Sequence, residues 1–120
     1  MSYSFRNLTV WDKGMELAEE IYKITAKFPR EEVYGLTSQM RRCAVSVPSN
    51  IAEGRQRGSR NEMRQFFSIS YGSAGELETQ LELAVRLKFI DKTATIRAES
   101  LLCEVQKILV TMIKKLNIQN

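Results

Sequence analysis

The sequence feature that most constrains the fold is a long run of helical periodicity in the middle of the chain. Ser59 and Glu62 form the pattern of a capping box, in which each side chain satisfies a free backbone amide at a helix start. The residues that then alternate spacings of three and four positions are Phe67, Ser70, Ala74, Leu77, Leu81 and Ala84. This spacing predicts a helix over about 60–88 whose seam packs against other helices.

Three other segments have the same periodicity, and they predict helices over about 10–27, 36–55 and 96–116. Pro29 ends the first helix, and Pro48 predicts a kink in the second because it has no N–H for the carbonyl of Ala44. Gly54 and Gly58 are expected to supply loop or C-cap geometry. Glycine and proline are scarce (six and two), and strand patterns are missing. The sequence therefore predicts an all-α fold, an antiparallel up-down-up-down four-helix bundle that forms one domain over 1–120.

The middle of the third predicted helix, residues 68–76, is rich in serine and glycine, which are poor helix formers. Such residues indicate that another helix approaches the backbone closely. The approaching helix belongs either to the same chain or to a second subunit, and the sequence leaves both possibilities open.

A basic cluster lies in residues 39–64, and its local charge of +4 equals the net charge of the whole chain. Guanidinium groups bind phosphate through paired hydrogen bonds, so a multivalent anion is a natural partner, although a solvated helix corner is the plainer explanation. The candidate nucleic-acid-binding residues are Arg41, Arg42, Arg55, Arg57, Arg60 and Arg64.

Asn50 and Glu53 lie beside the predicted kink, one turn before the last four of these arginines. They either bond to the backbone or to Arg41, Arg42 or Arg57, and so fix the corner, or they orient arginines towards a ligand.

The sequence contains few of the side chains that catalysis requires. The chain has no histidine, which excludes Ser-His and Cys-His nucleophiles and leaves too few ligands for a metal. Cys43 and Cys103 are expected to be buried, reduced small hydrophobic residues. We therefore expect no enzyme activity, no metal and no cofactor. Apolar runs are short and no secretory pattern opens the sequence, so we expect a cytoplasmic protein without a membrane span.

Several motifs together resemble one protein family over essentially the whole chain. They are Gln39-x-Arg41-Arg42, then Ser46-Val-Pro48-x-Asn50-Ile-Ala-Glu53-Gly54 followed by Arg57, and Gly72-Ser73-x-x-Glu76-Leu-x-x-Gln80. The chain is identified by them as a member of the four-helix bundle proteins first noticed as reading frames in intervening sequences of bacterial 23S ribosomal RNA genes. Cys43 stands where relatives often carry alanine.

The resemblance implies an architecture more than an activity. Some members of the family form ring-shaped homopentamers. A related branch, the accessory variability proteins of diversity-generating retroelements, binds nucleic acid and a reverse transcriptase through a basic pentamer. The resulting expectation is a non-catalytic homo-oligomer that binds nucleic acid, with RNA as the first choice on family grounds. The alternative is a protein-interaction scaffold without direct nucleic-acid contact, in which Arg41 and Arg42 pair within or between subunits.

Overall fold

The structure is a computed structural model that describes residues 4–118, and within them it contains four long helices and no strand. The helices are α1 (Thr9–Thr25), α2 (Leu36–Gln56), α3 (Arg60–Arg86) and α4 (Ile96–Ile118). Short 3-10 turns at Phe5–Asn7, Arg30–Glu32 and Lys92–Thr95 precede α1, α2 and α4. The prediction of an all-α four-helix bundle is confirmed. The principal extents are 47 × 20 × 20 Å, so the bundle is a rod with two narrow ends.

Neighbouring helices run antiparallel, as their contacts show. From the Ser70–Val47 contact to the Ser73–Cys43 contact, the residue number rises in α3 while it falls in α2. The pairs Lys13–Glu104 and Glu16–Arg97 show the same reversal between α1 and α4. This arrangement places the start of α1, the end of α2, the start of α3 and the end of α4 at the same end of the rod.

The core lies along the axis and takes side chains from all four helices, because each helix turns one apolar stripe inward. Most members of the predicted α3 seam are fully buried, including Phe67 and Leu77 at 0% exposure. The largest fully buried side chains are Phe67, Leu17, Ile21, Met40, Ile51, Leu77, Leu81, Leu102, Leu109, Val10, Val47 and Val105.

The end of α3 differs from the prediction, which placed it at Lys88. The helix ends at Arg86, and Lys88 has a positive φ of 64°. The N–H of Lys88 donates to the carbonyl of Val85 at 3.0 Å, and that of Phe89 donates to the carbonyl of Ala84 at 2.9 Å. These two bonds form a Schellman cap, which normally has glycine at the position of Lys88.

Helix α1 is also shorter than predicted at its end, because the chain tightens before Pro29. The N–H groups of Lys27 and Phe28 donate to carbonyls three residues back, at 3.2 and 3.1 Å. Helix α2 runs through Pro48 to Gln56, so Gly54 lies inside the helix. The expectation that Gly54 supplies loop or C-cap geometry is therefore wrong.

The Ser59 half of the predicted capping box is present at the start of α3. The Ser59 hydroxyl accepts the N–H of Glu62 at 3.1 Å and donates to its carboxylate at 3.2 Å. Helix α2 has a different cap, in which Glu32 Oε1 accepts the N–H of Leu36 at 3.1 Å. Each carboxylate also lies near the positive end of a helix dipole.

The small residues in the middle of α3 divide into two groups. Ser70 and Ala74 are buried, and the Ser70 hydroxyl donates to the carbonyl of Val47 at 2.8 Å, so close approach to α2 explains them. Gly72 and Gly75 have open space where a side chain would lie, with nothing within 4 Å. Packing within residues 4–118 therefore does not require these two glycines.

Candidate nucleic-acid interface

Basic side chains of α2, α3 and α4 meet at one end of the rod. Arg60 Nη2 donates to the carbonyl of Lys115 at 3.3 Å, and Arg64 Nη1 donates to Asn117 Oδ1 at 3.1 Å. These bonds bring the last turn of α4 beside the first turn of α3. We call this surface the basic end, and its members are Arg55, Arg57, Arg60, Arg64, Lys114 and Lys115.

Within the basic end, Arg57 has the most contacts with its own chain. Its guanidinium pairs with Glu53 at 2.8 Å and with Glu62 at 3.5 Å, and it lies 4.9 Å from the centre of the Phe66 ring. Two carboxylates and a ring hold this arginine in place, so the predicted Glu53–Arg57 contact is present and fixes the corner. The charge of Arg57 is already largely balanced.

Arg60 and Arg64 are less committed to the fold. Both are exposed, and each donates one hydrogen bond to α4, whereas a guanidinium has five N–H donors. Arg55 is half-buried, and its Nε is buried without a hydrogen-bond partner among the described residues. The exposed Arg60 and Arg64 therefore retain donors for a ligand such as phosphate.

The remaining two predicted arginines lie elsewhere. Arg42 precedes Arg55 by 13 residues on one helix, which is about 20 Å along the axis. Arg41 Nε donates to Thr25 Oγ1 at 2.8 Å and Nη2 donates to the carbonyl of Tyr22 at 3.3 Å, while the guanidinium stacks 4.5 Å from the Tyr22 ring centre. Arg41 thus joins α2 to α1. The six arginines of the sequence cluster do not form one patch.

Arg42 faces α3 across a polar groove of about 360 Å³. This polar groove is lined by Gln39, Arg42, Cys43, Ser46, Ser73 and Glu76. The hydroxyls of Ser46 and Ser73 are 2.7 Å apart, and the Cys43 thiol donates to the carbonyl of Ser73 at 3.1 Å. Two motifs that are far apart in the sequence are therefore in direct contact.

Asn50 extends the same polar contacts along α2. Its Nδ2 donates to the carbonyl of Ser46 at 2.8 Å and to the Ser46 hydroxyl at 3.0 Å. This contact is the backbone-fixing alternative predicted for Asn50. It spans Pro48, where the helix lacks a backbone donor.

The thiol of Cys43 is a poor nucleophile in this position. Burial, and secondly the charge and hydrogen bond of the nearby Glu76 carboxylate, raise its pKa to about 12. The thiol therefore stays protonated at neutral pH and serves as a hydrogen-bond donor. Cys103, which was also expected to be buried, is exposed on α4.

Gly54 of the motif and Gly14 of α1 lie where one helix packs against another. A methyl group on Gly54 would lie 3.0 Å from Phe66 Cβ, and one on Gly14 would lie 3.3 Å from Pro48 Cβ. These contacts let α2 approach α3 and α1 closely. Gly72, in contrast, is exposed and its motif position has no contact that explains it.

Sequence reasoning missed an apolar groove of about 650 Å³ between α1 and α2. Its large exposed side chains are Met15 (40%), Tyr22 (45%) and Val45 (43%), and Trp11 and Pro48 also line it. Met15 and Tyr22 are seven residues apart, on the same helix face but outside the core stripe. That second apolar stripe was the available signal.

The described residues show little else that could act as a site. No helix among them is long and apolar enough to cross a membrane, and no group of three or more metal-ligating side chains occurs among residues 4–118.

These features define a class of protein: a small all-α bundle whose second and third helices are joined by polar motif contacts and whose one end is basic. Comparison with known families identifies the same class of protein. The chain belongs to the 23S rRNA-intervening sequence protein family, whose model matches residues 6–111.

Among solved structures, the bundle is similar to a protein of unknown function from the S23 ribosomal protein family of Bacteroides thetaiotaomicron. The two are 28% identical with a TM-score of 0.79, and the match covers 88% of this chain and 99% of the other. A search of curated proteins finds no significant match.

Proposed function

We propose that the protein is a non-catalytic homo-oligomer that binds nucleic acid through its basic end, with RNA as the first candidate. The observation that carries the proposal is the meeting of three helix termini, which gather six cations on a rod end about 20 Å across. Glu53 and Glu62 balance Arg57, while the exposed Arg60 and Arg64 keep free donors. Such a surface suits the closely spaced phosphates of a polynucleotide.

The choice of RNA and the pentameric state rest on the family resemblance. A single basic end offers only a few phosphate contacts, so its affinity is modest at physiological salt. When several subunits of one oligomer can contact the same strand, each bound subunit raises the effective concentration of the strand at the next subunit. Oligomerisation therefore supports binding in this proposal, and we place the protein in the cytoplasm.

The absence of catalysis is also part of the proposal. The sequence has no histidine, and the buried Cys43 thiol is protonated at neutral pH.

The test compares two double variants with the same net charge. Arg60→Ala with Arg64→Ala changes the basic end, whereas Arg86→Ala with Lys92→Ala removes two cations near the opposite end. Each of the control cations has only an exposed ion pair, to Glu82 and Glu99. Binding of a fluorescent single-stranded RNA is titrated across a salt series.

The expected result is a loss of affinity in the first variant alone. Two lost phosphate contacts reduce the slope of log K against log salt by about 1.4, at about 0.7 per contact on a single strand. Equal loss in both variants would mean that overall charge, and not the basic end, attracts the RNA. Unchanged binding in the first variant would contradict the proposal.

The alternative function is a protein-interaction scaffold, and the apolar groove is the observation in its favour. Exposed Met15, Tyr22 and Val45 are typical of a surface that another protein covers. An oligomer that takes up neither RNA nor DNA at low salt would support this alternative over the basic-end proposal.

A further inference from the structure

A small pocket lies at the end of the rod opposite the basic end. It forms where the end of α1, the connecting segment and the start of α2 meet, and its volume is about 230 Å³. Its polar lining residues are Thr25, Arg30, Thr37 and Arg41, and none of its described lining side chains is acidic. We call it the far-end pocket. A pocket lined by two arginines without a carboxylate attracts an anion.

The hydroxyl of Thr37 is the part of this pocket that packing within the chain leaves unexplained. Thr37 is 6% exposed, and its Oγ1 is buried without a hydrogen-bond partner among the described residues. A buried hydroxyl without a partner is destabilising, so such groups are rare in folded proteins. Elsewhere in the helices, the hydroxyls of Thr25, Thr79 and Thr111 each donate to the carbonyl four residues back. Thr37 is therefore an exception that a ligand would remove.

The position of Thr37 in the first turn of α2 explains this difference. Four residues back is Val33, which precedes the helix, so no helical carbonyl is available there. The first turn of a helix also leaves its backbone N–H groups without intrahelical acceptors. Glu32 accepts the N–H of Leu36, but among the described residues neither Thr37 nor Ser38 has an acceptor for its N–H. The positive end of the α2 dipole thus lies beside the pocket with amides to donate.

The two arginines of the pocket also have unused donors. Arg41 uses Nε for Thr25 and Nη2 for the carbonyl of Tyr22, so three of its five N–H groups remain. These two bonds fix the Arg41 guanidinium at the pocket before any ligand arrives, which lowers the entropy cost of binding. The exposed guanidinium of Arg30 has no partner among the described residues.

The Thr37 hydroxyl reaches a ligand in the pocket by a change of rotamer. Its Oγ1 and Cγ2 exchange places when the side chain rotates by about 120° around χ1, and the α2 backbone does not move. A bound oxyanion can then accept hydrogen bonds from the hydroxyl, from first-turn amides and from the two guanidinium groups.

We propose that the far-end pocket binds a phosphate group, either as free phosphate or as the phosphate of a nucleotide. A phosphate has several acceptor oxygens in different directions, which suits donors that come from α2, from Arg41 and from the connecting segment. Binding provides the partner that Thr37 lacks and links the end of α1 to the start of α2. It therefore stabilises the folded chain. The site is separate from the basic end and does not depend on the function proposed for it.

Calorimetric titration of the full chain with inorganic phosphate tests the proposal, with chloride keeping the ionic strength constant. Thr37→Val removes the hydroxyl and keeps the shape of the side chain, and Arg30→Ala removes an exposed guanidinium. Lys27→Ala is the matched control, because Lys27 is an exposed cation close in sequence that does not line the pocket. The double variant Arg60→Ala with Arg64→Ala controls for phosphate attracted by the basic end.

Wild-type protein is expected to bind one phosphate per chain in a saturable manner. Thr37→Val and Arg30→Ala should each bind at least about tenfold more weakly, since each loses a hydrogen bond to a charged group. Both controls should retain the wild-type affinity. The Tm of the wild type should rise as phosphate is added, whereas the Tm of Thr37→Val should rise only by the general stabilisation that phosphate gives to folded proteins.

A second titration with adenosine monophosphate distinguishes the two sources of the phosphate group. Tighter binding than that of inorganic phosphate would assign the site to a nucleotide, and equal or weaker binding would assign it to free phosphate.

Three outcomes overturn the proposal. If wild-type protein shows no saturable binding, the pocket holds ordered water only. If Thr37→Val binds as well as the wild type, or if only the basic-end double variant loses affinity, the phosphate is bound elsewhere. If Thr37→Val has a lower Tm than the wild type in phosphate-free buffer, the fold itself uses the hydroxyl.

Discussion

Gly54 gives the most direct test of how the motif residues act. A methyl group at this position would lie 3.0 Å from Phe66 Cβ and 3.1 Å from two atoms of the Phe67 ring. Phe66 Cβ is fixed to the α3 backbone and cannot move away alone, so Gly54→Ala forces α2 and α3 apart. Overpacking of this kind costs about 1–3 kcal/mol. Alanine also gains about 1 kcal/mol over glycine in a helix interior, which offsets part of the cost.

The net expectation is that Gly54→Ala lowers the free energy of unfolding by up to about 2 kcal/mol. Gly75→Ala is the matched control, because it lies in a helix interior with nothing within 4 Å of the new methyl group. It gains the helix propensity without the clash and raises the free energy of unfolding by up to about 1 kcal/mol. The two variants should therefore differ in sign.

Urea denaturation followed by circular dichroism measures both values. Protein concentration is held constant, since self-association shifts apparent stability. Gly54→Val extends the series, and its larger side chain should destabilise further. A Gly54→Ala protein at least as stable as wild type would show that steric exclusion is not the reason for glycine, and so would a valine variant no worse than alanine.

Three further predictions concern the cap of α3, the cysteines and the α2–α3 hydrogen bonds. Lys88→Gly should raise the free energy of unfolding by about 1 kcal/mol in the same urea assay, because φ of 64° is strained for lysine; no gain would mean that the side chain compensates. Exposed Cys103 should react with a thiol reagent at neutral pH far faster than buried Cys43. The free energy of unfolding should fall as the pH rises from 9 towards about 12, because the Cys43 thiol ionises at a lower pH in the unfolded chain than in the folded protein. If a Cys43→Ala protein shows the same decline in stability, the decline is due to the ionisation of other groups. Ser70→Ala should cost about 1 kcal/mol by removing the bond to Val47, whereas the exposed Ser68→Ala should not.

Much of the fold was predictable because it depends on local patterns. The spacing of the α3 seam predicted the longest helix correctly, and Ser59 and Glu62 predicted its start. Both signals depend on residues that are close together in the sequence. The end of α3 was missed by two residues. A Schellman cap normally signals itself through glycine, and here Lys88 takes the position.

The candidate site was less predictable, because distance along a helix separates residues that the sequence places close together. Arg41 and Arg42 are near Arg55 in the chain but about 20 Å away along α2. Conversely, Lys114 and Lys115 are far away in the sequence and join the basic end through α4. Only the tertiary arrangement shows which charges share a surface.

The motif that identifies the family and the residues proposed to bind nucleic acid are therefore largely different sets. Ser46 and Ser73 bond across α2 and α3, Gly54 permits their approach, and Glu53 orients Arg57. All of these contacts build the bundle. Arg60 and Arg64 lie outside the motif on an exposed helix start, where substitution leaves the core untouched. A member of the family can therefore retain the architecture and differ in its partner, so binding has to be measured at the basic end of each protein.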